Sequence, residues 1–111
     1  MAVQKGNTMT TSKAFGPSVV RTRDAGAFLV ESLTLAGDTA TLTGSRRLWY
    51  WSGAASLSDL ALNGVSRPNA CKFPPAVPGD HVVLGVVEII PATDEAVASV
   101  NAVPDWTEHG V

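Results

Sequence analysis

Turn signals cut residues 18–51 into short segments, and this spacing constrains the fold more than any other feature of the chain. Asp24-Ala25-Gly26, Gly37-Asp38 and Gly44-Ser45 stand between runs of β-branched and apolar residues. Each run is too short for a stable helix and long enough for a strand. Gly37-Asp38 suits a two-residue primed turn, which needs positive φ. Within 39–43, Ala40 and Leu42 fall on one side and Thr39, Thr41 and Thr43 on the other. That period of two marks a half-buried strand. Within 27–35, Leu29, Leu33 and Leu35 share one side and Phe28 and Val30 the other. With strands at 18–23 and 46–51, the segment predicts an antiparallel meander.

The second half changes pattern. Ser56 with Asp59 three residues on is a capping-box-like start, Leu57, Leu60 and Ala61 give an apolar stripe, and Asn63-Gly64 is a stop. This predicts a helix over 56–63. Residues 65–80 carry Pro68, Pro74, Pro75 and Pro78 and predict an irregular connection. Residues 81–90 are apolar on both faces, which predicts a central strand covered on both sides, in which Glu88 needs a partner. Thr93 caps a second short helix with Asp94 and Glu95 in its first turn, and Pro104 ends it. The fold class is therefore α+β, a curved antiparallel sheet or meander with two short helices. Residues 18–111 form a single domain. Residues 1–17, rich in Thr, Ser, Lys, Asn and Gly, read as a flexible arm or as one that orders on a neighbouring subunit.

Composition removes several functions. The net charge of −2 argues against bulk electrostatic binding of nucleic acid. Cys71 is the single cysteine, so neither an intrachain disulfide nor a Cys-rich zinc site is available. No apolar run approaches the length of a membrane span, and no secretory signal opens the chain. Catalytic signatures are missing too. His81 and His109 lack partners at metal-ligand spacing, Ser52-Gly53 lacks a nucleophile elbow, and no phosphate-binding glycine loop is present. The expectation is a non-enzyme without catalytic residues, metal or cofactor. An enzyme would need Cys71, His81 and Asp80 to converge on folding.

One segment is unusual. Arg46-Arg47-Leu48-Trp49-Tyr50-Trp51 holds three of the seven aromatic residues and runs through small residues toward Ser56. In a regular strand, Arg47, Trp49 and Trp51 share one face, and Arg46, Leu48 and Tyr50 the other. Arginine beside tryptophan suits a planar base joined to a phosphate. The candidate ligand-binding set is Trp49 or Trp51 for the base and Arg46 or Arg47 for phosphate. Ser56 at the helix start adds phosphate oxygen contacts, and Arg67 and Lys72 close over the site. The same residues also suit core packing or a protein interface. Phe73 is expected to plug the core edge and Trp106 to pack back on the sheet.

The runs Arg46-Arg47-Leu48-Trp49-Tyr50-Trp51-Ser52-Gly53-Ala54-Ala55-Ser56-Leu57, Cys71-Lys72-Phe73 and Val87-Glu88-Ile89-Ile90-Pro91-Ala92-Thr93 carry a resemblance. With Val20-Arg21-Thr22-Arg23-Asp24-Ala25-Gly26, they resemble a family of small bacteriophage and prophage proteins known as a domain of unknown function. The resemblance covers about residues 19–107. It implies a phage accessory protein without known catalysis and assigns no functional residue. Size, phage origin and the site chemistry extend it to anti-defence sponges of the Thoeris type, which are oligomers that sequester nucleotide signals. The implied partners are further copies of the chain and either a nucleotide-like small molecule or a host protein, in the host cytoplasm. The alternative is a head-associated or decoration protein of the virion that uses its N-terminal arm for assembly.

Overall fold

The computed structural model describes residues 12–107. Their strands are β1 (Lys13–Phe15), β2 (Ser18–Thr22), β3 (Ala27–Val30), β4 (Ser32–Ala36), β5 (Thr39–Thr43), β6 (Arg46–Arg47), β7 (Asp80–Val83) and β8 (Val86–Pro91). The helices are α1 (Leu57–Asn63) and α2 (Asp94–Asn101), with a 3-10 turn at Pro68–Ala70. Two antiparallel four-stranded sheets result, in the orders β1-β4-β5-β7 and β6-β3-β2-β8. The fold is α+β and mostly β, as the sequence predicts.

The two sheets are built from the same four stretches of chain. Residues 13–22, 27–36, 39–47 and 80–91 each bend once and give one half to each sheet. The first stretch pairs with the second, the second with the third, the third with the fourth through β5–β7, and the fourth with the first through β2–β8. The pairings therefore close on themselves in the manner of a small barrel. The antiparallel meander expected over 18–51 is present in the first three stretches, and the fourth closes it. The Gly37-Asp38 hairpin forms as expected: Ala36 pairs with Thr39, and Gly37 takes the positive φ of 64° that the turn demands.

Bending changes which side chains lie together. The strand expected over 27–35 breaks at Glu31, whose N–H donates to the Thr43 carbonyl at 2.9 Å. Across that break the alternation shifts by one residue. Leu33 joins Phe28 and Val30 in the barrel interior with Val20, Ala40, Leu42 and Val83, and Leu35 packs against that cluster. Leu29 faces the other way, into a second cluster with Val19, Ala27, Leu48, Leu60, Phe73 and Val100 beneath the helices.

The same geometry corrects the strand expected over 81–90. It splits at Leu84-Gly85 into β7 and β8, and each lies at the edge of its sheet. Val82 and Val87 are exposed. The strands covered on both faces are β2 and β3, with barrel on one side and helices on the other. Glu88 does find a partner, accepting from Arg21 Nε at 2.8 Å, in a solvent-exposed pair that adds little stability.

Of the segment read as an arm, residues 1–11 lie outside the described residues, as does His109. Lys13–Phe15 is an edge strand on β4, and Phe15 packs against the barrel interior. The strand expected over 46–51 is regular only at Arg46 and Arg47. Beyond them the chain leaves β3, and Tyr50 forms a single antiparallel bridge to Lys72.

Candidate ligand-binding site

The candidate residues separate into those the fold consumes and those it leaves on the surface. Arg46 belongs to the first group and is 6% exposed. Its Nε donates to the Pro74 carbonyl at 3.0 Å, and Nη1 to that of Val100 at 2.6 Å. Nη2 serves the carbonyls of Phe73 and Val103 and a carboxylate oxygen of Asp105, at 3.1, 2.8 and 2.9 Å. Its guanidinium also lies over the Phe73 ring. Burial pushes the pKa of Arg46 down, and the Asp105 carboxylate opposes that shift. The expectation that Arg46 meets a phosphate is corrected: its donors hold the core together.

Ser56 is consumed as well. Its Oγ accepts from the Asp59 N–H at 3.1 Å, while the Asp59 carboxylate accepts from the Ala55 N–H at 2.8 Å and from Asn63 at 2.9 Å. The helix start already holds an anion of its own, and a phosphate there would be repelled. Gly53 does not open the backbone to a ligand either. It sits at φ 91° with the backbone of Ser66 and Arg67 packed against its Cα, so the small residue serves chain packing. Trp51 is half-buried against the helix-side core. Arg67 is exposed and precedes the 3-10 turn, away from the residues that line the cleft described next.

Arg47 and Trp49 remain. They stand with Leu48 on one wall of an open cleft of about 340 Å3, faced by Asp24–Ala27. The opposite wall is a tied turn. The Thr22 N–H and hydroxyl donate to the Gly26 carbonyl at 2.9 and 2.8 Å, and the Ala25 N–H donates to Thr22 Oγ1 at 2.8 Å. The Leu48 N–H reaches the Ala27 carbonyl at 2.9 Å and joins the walls. Arg47 Nη1 donates to the Ala25 carbonyl at 2.6 Å, and its guanidinium lies 4.6 Å from the Phe28 ring centre. These contacts hold the guanidinium in place. The Trp49 residue is 64% exposed. An exposed indole and an oriented guanidinium lining one cleft have the chemistry for a planar, negatively charged group.

Lys72 lies on the neighbouring segment, with Nζ 5.6 Å from the Trp106 ring centre. Tyr50, directly opposite Lys72, is also exposed. Sequence reasoning missed Tyr50 as a surface group, because an unbroken strand would turn it to the face of Arg46 and Leu48. It placed Trp106 in packing, although its association with Lys72 leaves it half-buried. The Asp24–Ala27 wall was legible only as a turn.

Cys71 is a buried thiol among Ser52 and Arg67 backbone groups. His81 meets Ser45 Oγ at 2.9 Å and the edge of Phe28. The two belong to different surroundings and share no hydrogen bond among the described residues. No cluster of three or more His, Cys, Asp or Glu able to hold a metal occurs among the described residues. Among the described residues, no helix is long and apolar enough to cross a membrane.

A family model described as a domain of unknown function, DUF6948, matches residues 16–100. The chain belongs to the DUF6948 family. The DUF6948 match spans both sheets from β2 to β8, with the cleft and α1, and stops inside α2. Asp105 and Trp106 therefore lie beyond the matched segment. No curated protein and no solved structure matches the chain.

Two predictions follow from these side chains. Arg46→Met removes a buried cation and leaves its acceptors unsatisfied. It is expected to cost about 3–5 kcal/mol in urea unfolding. Asp105→Asn changes an exposed carboxylate and is expected to cost under about 1 kcal/mol. Equal losses in the two variants would contradict the role given to Arg46.

Hydrogen bonds from Ala55 and Asn63 hold the Asp59 carboxyl below its ordinary value of 3.8. A depressed folded-state pKa contributes stability that is present above the unfolded value and lost as pH falls through the folded one. Asp59→Asn is therefore expected to lower the melting temperature at pH 7 and to narrow its difference from wild type as pH falls below about 4. Melting curves from pH 2 to 7 check this.

Proposed function

We propose that this protein is a non-enzymatic phage or prophage accessory protein that forms an oligomer and binds a nucleotide-like ligand in the Arg47–Trp49 cleft. The supporting observation is an exposed indole that lines the same cleft as a guanidinium oriented by the Ala25 carbonyl and the Phe28 ring. The indole offers a face for a base, and the guanidinium offers charge for a phosphate. With Arg46 and Ser56 committed to the fold, the ligand contacts fall to Arg47 and Trp49, with Lys72 on the adjoining segment. In this reading the protein acts in the host cytoplasm by sequestering a ligand or by presenting it to a host partner.

Native mass spectrometry of protein purified from infected cells tests the reading. The expected result is a defined oligomer that releases a small bound mass at high collision energy. Trp49→Ala should weaken binding by about 1–3 kcal/mol, as loss of one base–aromatic stack does. Arg47→Ala should weaken it while keeping the melting temperature within a few degrees. A folded Trp49→Ala protein that retains its full ligand load would overturn the assignment.

A virion role is favoured by a different observation. Among the described residues, β1 is an edge strand paired with β4 alone. An open edge next to the N-terminal segment suits assembly with a neighbour. Mass spectrometry of purified virions decides this reading: stoichiometric copies support a head-associated or decoration protein, and absence removes it.

A further inference from the structure

Beside the cleft lies a second set of groups with matching chemistry. Tyr50 and Lys72 exchange both backbone hydrogen bonds, at 3.2 and 2.8 Å, so they stand directly opposite and their side chains share a face. Phe73 bridges to Asp105 on the next segment, and the Trp106 N–H donates to the Phe73 carbonyl at 3.0 Å. This brings the Trp106 ring to 5.6 Å from Lys72 Nζ. The result is a row of phenol, ammonium and indole on three adjacent segments. Tyr50 and Lys72 are exposed and Trp106 is half-buried. The Asp105 carboxylate, next to Trp106 in the chain, pairs with Arg46 at 2.9 Å.

Trp49 and Tyr50 are consecutive residues, and both are exposed. The two aromatic–cation sets, Trp49 with Arg47 and Tyr50 with Lys72 and Trp106, thus meet at one short piece of backbone. Taking the cleft as a nucleotide site, we propose that Tyr50, Lys72 and Trp106 form a second base subsite and that the ligand is a dinucleotide. Its two bases are held apart, one on Trp49 and one on the Tyr50–Trp106 row, with the phosphodiester between Arg47 and Lys72. Two separate sets, on a chain of net charge −2, favour a short ligand over a long strand.

Linking two weak sites raises affinity through effective concentration. Calorimetry on the full chain with AMP and with adenylyl-(3′→5′)-adenosine tests the proposal. The dinucleotide is expected to bind about tenfold or more tightly than AMP. Tyr50→Ala should bring the dinucleotide toward the AMP value and leave AMP itself unchanged, and Lys72→Gln should weaken the dinucleotide. Lys72→Gln keeps the backbone bridge and guards against loss of folding. Trp49→Ala should weaken both ligands. If AMP binds but the dinucleotide binds no tighter, or the Tyr50 and Lys72 variants leave its affinity unchanged, the second subsite is wrong and the cleft reading stands. If neither probe binds, the cleft reading falls and the second subsite falls with it.

Discussion

The Arg46 guanidinium binds five acceptors, on Phe73, Pro74, Val100, Val103 and Asp105, that no backbone ladder joins to β6. Desolvating a guanidinium is costly, and the cost is met only when its N–H groups and charge are satisfied together. Here that satisfaction ties three parts of the molecule to one point: the second sheet, the proline-rich connection and the end of α2. The Val100 carbonyl lies in the last turn of α2 and that of Val103 just beyond it, where a cation is favourable. Phe73 is fully buried at the same junction, so the loop that carries four prolines is anchored by a plug and a pin.

That anchoring depends in turn on the bent strands. Because β2 and β3 carry apolar residues on both faces, the second sheet can seal the barrel interior and still receive the helices. The shift of alternation at Glu31 puts Leu33 in the same interior as Phe28, and a straight strand would have divided them. The edge strands are left with exposed apolar groups at Val82, Leu84 and Val87. An apolar run thus records an inclination to pack, and position in the sheet decides whether the run is covered.

The candidate site is what remains after these demands are met. Two neighbouring arginines differ: Arg46 is buried and spent on five acceptors, while Arg47 is half-buried on the cleft wall and held against Phe28. Of the two tryptophans in the same segment, Trp51 packs on the helix-side core and Trp49 stays in water. The family match contains the cleft and most of the scaffold that orients it, whereas Asp105 and Trp106 lie past its end. The cleft is in that sense part of the shared domain, and the row that includes Trp106 draws on the chain beyond it.

The sequence by itself determined the local elements, because their causes are local. Glycine turns set the Gly37-Asp38 hairpin, threonine alternation set β5, and the Ser56 and Thr93 caps set the helix starts. The crowding of Arg and Trp around residue 49 was legible too, but not which of those side chains the fold would bury. What alternation could not carry was a bend: one shifted residue at Glu31, or a break at Leu84-Gly85, reverses which face every later side chain occupies. Only the tertiary structure decided that β2 and β3 are the covered strands, and that Arg46 is a structural pin while Arg47 is not. Those outcomes rest on acceptors at Phe73, Pro74, Val100, Val103 and Asp105, far along the chain from Arg46, which meet it only when the sheets and helices close.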